Sequence, residues 1–125
     1  MGKNVLIDTN VLLGYIGKAL PAKGMTSVAK LIDEAFNISF VNKIEILGHP
    51  SADEELKAFI DLAAVFDLSD AIVEKTIQIR KQHKTKLGDA LIAATALVEG
   101  LTLVTRNEDD FKKIEGIEII NPWKM

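Results

Sequence analysis

Val5-Leu6-Ile7-Asp8-Thr9-Asn10 is a run of three apolar residues passing without a gap into three polar ones. A short, unbroken apolar run is what a strand buried on both faces requires. Asp, Thr and Asn all start helices well, because their side chains accept an orphan N–H of the first turn. A buried strand feeding straight into a helix is half of a parallel-sheet unit, since parallel neighbours need a crossover between them. With Lys3 to Asp8 as a strand and Asn10 to about Lys18 as a helix, the same alternation recurs to the end of the chain.

Pro21 and Gly24 mark a loop, after which Ser27 to Phe36 carries Val28, Leu31, Ile32 and Ala35 on one helical face. Ile38 to Val41 reads as the second strand and Lys43 to Leu47 as a brief helix. Ser51 and Glu54 have the spacing of a capping box for a helix bearing Leu56, Phe59, Ile60 and Ala63. Val65 to Leu68 predicts a third strand, and Ser69 caps a helix reaching about Lys84. Leu87 to Glu99 is apolar nearly all round, which predicts a helix at the centre of the core, stopped by Gly100. Leu101 to Thr105, Asp109 to Ile114 and Ile117 to Ile120 read as strand, short helix and strand. The expected fold is a single-domain three-layer α/β/α sandwich over residues 1–125 with a mostly parallel central sheet. Ligands of such sheets bind outside the C-terminal ends of the strands.

Composition narrows the function classes. With 48% hydrophobic and 26% charged residues, the chain is not a disordered one. The absence of cysteine excludes a disulfide scaffold, a thiolate zinc site and a cysteine nucleophile, and fits a reducing cytosol. Val5-Leu6-Ile7 is too short for a signal peptide, and the nine residues from Ala90 to Val98 are about half a membrane span. A soluble, cytoplasmic protein is expected.

The net charge of −3 argues against a nucleic-acid partner only at first sight. Four acids stand where the sheet's C-terminal edge should be, and without them the remainder carries +1. Asp8 ends the first strand, Glu45 follows the second, Asp89 opens the apolar helix, and Asp110 precedes Phe111 after the Leu101-to-Thr105 strand. Taken singly, each could be a helix cap or a solvated acid. Ile44, Ile46 and Leu47 around Glu45 are expected to be buried, and Asp110 to turn inward. Two carboxylates ~5 Å apart repel by about 3 kcal/mol at an effective dielectric of 20, so a group of four calls for protons or a cation. An all-oxygen set selects a hard ion, Mg²⁺ or Mn²⁺. Asn10, Thr105 and Asn107 stand beside these acids. Arg106 and the Arg80, Lys81, Lys84, Lys86 run could hold a phosphodiester backbone, although a solvated helix end explains the run equally well.

Four ordered segments resemble PIN-domain ribonucleases, above all the small VapC-type toxins of toxin–antitoxin pairs. They are Leu6-Ile7-Asp8-Thr9-Asn10, Ile44-Glu45-Ile46-Leu47-Gly48, Lys86-Leu87-Gly88-Asp89-Ala90-Leu91-Ile92-Ala93-Ala94, and Thr105-Arg106-Asn107 leading to Asp110-Phe111. The resemblance implies a PIN-like fold and an endoribonuclease that leaves 5′-phosphate and 3′-hydroxyl ends. It implies one or two Mg²⁺ or Mn²⁺ ions held by Asp8, Glu45 and Asp89, with Asn107 or Asp110 in the fourth position. Asp8 and Asp89 would be primary ligands and Glu45 the residue orienting the attacking water. A homodimer and an antitoxin whose C-terminal segment blocks the acidic crevice are implied as partners. Gly88 departs from the proline of many relatives, and Asn107 is neutral where some carry Asp.

Two other classes compete. A phospho-acceptor receiver domain would suit the length and alternation, but its only mid-chain candidate acceptor is Asp67. A catalytically silent PIN-like module would bind RNA or protein without turnover. Trp123 is either a partner contact or a ring folded back over the core edge. The two histidines, His49 and His83, are read as loop and solvated residues.

Overall fold

The computed structural model describes residues 4–125, so Lys3 of the expected first strand lies outside the described residues. The chain runs β1 (Val5–Ile7), α1 (Thr9–Ile16), α2 (Ala22–Glu34), β2 (Asn37–Ser39), α3 (Phe40–Leu47) and α4 (Glu54–Ile60). It continues through β3 (Ala64–Phe66), α5 (Asp70–Gln82), α6 (Leu87–Glu99), β4 (Thr102–Val104), α7 (Glu108–Phe111) and β5 (Ile119–Ile120). All strand pairs are parallel: β1 with β4, β4 with β5, and β2 with β3. The sheet is in two parts, β1-β4-β5 and β2-β3. They are joined where the Asn37 side-chain amide donates to the Val5 carbonyl at 3.0 Å.

Alternation along the strands sorts side chains between two cores. Leu6 and Leu103 enter one built largely from α5 and α6, with Phe111 and Ile114. Val5, Ile7 and Val104 enter the other, with Val11, Leu12, Val28 and Ile60. The sheet therefore has helices on both faces, the expected three layers. Residues Ala90, Ile92, Ala93, Ala94 and Ala96 of α6 are all buried, and Gly100 ends it in the left-handed region at φ 68°.

Local chemistry moved three boundaries. Phe40 and Val41 are helical rather than strand, because Ser39 caps α3 in a box closed by Asn42 instead of Glu or Gln. The Ser51 box does not form: Ser51 hydrogen-bonds His49, and Asp53 caps α4 by accepting from the Leu56 N–H at 2.8 Å. Pro21 and Gly24 do not mark a loop, since α2 starts at Ala22. Gly24 has no side chain because the Pro122 carbonyl lies against the helix there, where a β-carbon would run into it. Gly24→Ala is expected to destabilise the protein by about 1–3 kcal/mol, as overpacking against backbone does. Thermal denaturation checks this, and an unchanged midpoint would contradict the contact.

Candidate active site

The C-terminal ends of β1, β2 and β4 deliver Asp8, Ser39 and Thr105 to one edge of the sheet. Asp8 is buried, and four donors surround its carboxylate. Oδ1 accepts from the Thr9 N–H at 2.9 Å and the Asn42 amide at 3.2 Å. Oδ2 accepts from the Thr105 hydroxyl at 2.8 Å and the Asn10 amide at 3.5 Å. Asp8 caps α1 as well, so the cap and site readings describe one residue.

Asn42 organises this edge and is fully buried. Its Oδ1 accepts from the Ser39 N–H at 3.0 Å and the Ser39 hydroxyl at 2.8 Å. Its amide donates to Asp8 and to the Thr9 hydroxyl, the latter at 3.1 Å. Thr9 in turn donates to Glu45 Oε1 at 2.8 Å. Glu45 is exposed, and so is Ile44, which was expected to be buried; on α3 only Val41, Asn42 and Ile46 are buried. One face of a short helix thus carries both Asn42 and Glu45, three residues apart.

The other half comes from α6 and α7. Asp89, half-buried in the first turn of α6, shares an open cleft with Asp110. Asp110 is exposed at the rim and not turned inward as expected; it is Phe111 that the core takes. Burial raises the Asp89 carboxyl above the ordinary aspartate value, the charges of Asp110 and Asp8 raise it further, and Lys86 and Lys113 oppose them. Burial likewise raises Asp8 against the pull of its Thr105 and Thr9 hydrogen bonds, with the Glu45 charge adding to the rise. Glu45 therefore acts on Asp8, and Asp8 and Asp110 both act on Asp89, so the four acids form an electrostatic chain across the edge. Among the described residues, no three acidic or histidine side chains come close enough together to hold a metal ion between them. An open set of oxygen donors suits magnesium, which takes one or two carboxylates and keeps several waters.

The flanking residues divide. Asn10 bridges the site to the β4–α7 loop, accepting from the Arg106 N–H at 3.2 Å. Thr105 accepts from the Asn107 N–H at 3.1 Å, so Asn107 serves through its backbone. Lys84 and Lys86 line the cleft beside Asp89. Arg106 does not: its guanidinium carbon lies 4.7 Å from the centre of the Trp123 ring. Trp123 folds back over the core containing Val5 and Leu12. Asn121 donates to the Arg106 carbonyl, and Lys124 pairs with Glu108 at 2.7 Å, so this last stretch of chain holds the loop that carries Thr105. Asp67 follows β3, exposed, with no part in the network around Asp8. Sequence reasoning missed Asn42, Thr9 and Lys113. A Ser-x-x-Asn pair directly after a short apolar strand was the available signal for Asn42.

The sequence model of the PIN domain matches residues 5–117. Ribonuclease VapC1 of Rickettsia felis is 53% identical over 32 residues, which cover 26% of this chain and 24% of that protein. That match spans only about a quarter of the relative's length. Among solved structures, a toxin–antitoxin complex from Klebsiella pneumoniae superposes with a TM-score of 0.78 at 25% identity, covering 98% of this chain and 100% of that one. VapBC2 from Rickettsia felis, bound to a DNA fragment from its promoter, gives a TM-score of 0.77 at 22% identity, over 94% and 97% of the two chains. No helix among the described residues is long and apolar enough to cross a membrane.

Proposed function

Since the chain belongs to the PIN-domain family, we propose that it is a divalent-metal-dependent endoribonuclease, the toxin of a toxin–antitoxin pair. One observation carries the reading: a buried carboxylate with a raised pKa, Asp8, feels the charge of Glu45 and acts on Asp89, which Asp110 flanks, at the sheet edge where α/β ligands bind. The likeness to ribonuclease VapC1 and to the Klebsiella pneumoniae complex supports it.

Asp8 and Asp89 would hold Mg²⁺ or Mn²⁺ directly, with Glu45 and Asp110 binding directly or through water. Such an ion lowers the pKa of a bound water and steadies charge on phosphoryl oxygens. Thr9 fixes the Glu45 carboxylate, which orients the attacking water and takes its proton. Attack in line with the 3′ oxygen forms a new P–O bond and breaks the P–O3′ bond. The 3′ oxygen takes a proton from solvent as it leaves, giving 5′-phosphate and 3′-hydroxyl ends without use of the 2′-OH. The reading includes action in the cytoplasm, a homodimer, and an antitoxin protein that blocks the acidic crevice.

The test is incubation of the pure protein with structured and single-stranded RNAs in Mg²⁺, Mn²⁺ or chelator, with mapping of product ends. Cleavage confined to the metal arms, with 5′-phosphate ends, is expected. Cyclic-phosphate ends, or cutting in chelator, would refute the mechanism. RNA bound but never cut would favour the silent-module reading instead.

A further inference from the structure

The cleft at Asp89 extends beyond the acids. Arg80 on α5, Lys84 and Lys86 in the α5–α6 loop, and Lys113 after α7 line it, four bases against the two acids Asp89 and Asp110. The far wall is tied to the loop, because Lys113 Nζ donates to the Lys84 carbonyl at 2.8 Å. Lys86 and Lys113 also act on the Asp89 carboxylate, so their charge reaches the acidic end of the cleft. Between them lies Thr85, another lining residue, whose Oγ1 is buried without a hydrogen-bond partner. Buried hydroxyls almost always have one, and an orphan among cations in a cleft asks for an acceptor. The first turn of α6 points the same way, for no side chain caps it.

We infer that this cleft is a second phosphate subsite, which takes a backbone phosphate neighbouring the one that is cut and binds it through the surrounding bases and, once its side chain turns out of its buried position, the Thr85 hydroxyl. A phosphodiester supplies what the cleft lacks: negative charge for the surplus bases and acceptor oxygens for the hydroxyl. Assigning the phosphate to RNA rests on the ribonuclease reading; the anion site itself does not. Engagement of two phosphates at once makes single nucleotides poor ligands and short single strands good ones.

Binding is measured in chelator, where nothing is cut, by anisotropy of a labelled single-stranded RNA hexamer. Thr85→Val is expected to weaken binding roughly tenfold while the free protein melts no lower than wild type, since a costly unpaired hydroxyl is removed. Arg80→Met and Lys113→Met should each reduce the slope of log K against log salt by about one. Replacing one non-scissile phosphate by a neutral methylphosphonate, position by position, in the Mn²⁺ cleavage assay should reveal a single sensitive neighbour of the cut site in wild type and none in the Thr85→Val protein. Unaltered affinity of Thr85→Val, or a lowered melting point, would overturn the inference, as would a flat methylphosphonate series alongside normal metal-dependent cleavage. RNA held through the cleft yet never cut in any metal would uphold the subsite and reject the ribonuclease reading.

Discussion

Asp89→Asn is expected to lower metal-dependent RNA cleavage by on the order of 10³-fold, while raising the melting temperature of the metal-free protein. The two effects share one cause. Burial, then Asp110, then Asp8 hold the Asp89 carboxyl above its ordinary value of 3.8. An acid whose pKa is higher folded than unfolded contributes stability that is complete below the unfolded value and is lost as pH rises through the folded one. At neutral pH the ionised group therefore opposes folding, and a neutral amide of the same shape relieves it. A divalent ion should reverse the ranking, stabilising wild type and leaving Asp89→Asn nearly unmoved. Melting curves at pH 7 in chelator and in Mn²⁺, beside cleavage rates, read both effects. A variant that cuts RNA normally, or melts below wild type without metal, would remove Asp89 from the proposed centre.

Asn42→Leu should produce the largest loss of stability of any single change at the site, about 3 kcal/mol, or roughly 10 °C in Tm. The asparagine makes hydrogen bonds at both ends of its amide, to Ser39 on one side and to Asp8 and Thr9 on the other. A leucine fills comparable space but leaves the Ser39 N–H and hydroxyl without an acceptor and a buried carboxylate without a donor. Thr9 then loses the amide that orients it toward Glu45, so cleavage should fall as well. Thermal melts and rates together distinguish this from a local defect. A stable, active Asn42→Leu protein would show that the network is not what holds the acids in place.

The layered fold and the acidic edge could be read from the chain because they rest on period and spacing. Apolar runs such as Val5 to Ile7 and Leu101 to Val104 admit few interpretations, and parallel pairing sends the residues that follow them to one edge. What escaped was tertiary in origin. Gly24 looks like a loop residue until Pro122, nearly a hundred positions later, arrives against it. Ser51 had the local pattern of a cap, but His49 was a nearer partner and Asp53 a competing cap. Asn42 belongs to no common motif, and its role depends on Asp8 arriving from another element. The stacking of Arg106 on Trp123 likewise depends on a residue that arrives from the far side of β5.

The pairing of β1 with β4, and of Asp8 with Thr105, joins residues 97 positions apart. During synthesis Asp8 leaves the ribosome early and waits, since neither its partner strand nor the helix bearing Asp89 exists yet. Contacts of such separation also form late once the chain is free. On the ribonuclease reading, the nascent polypeptide is harmless to the message and ribosome that make it until the Leu101-to-Thr105 stretch has emerged and paired with β1.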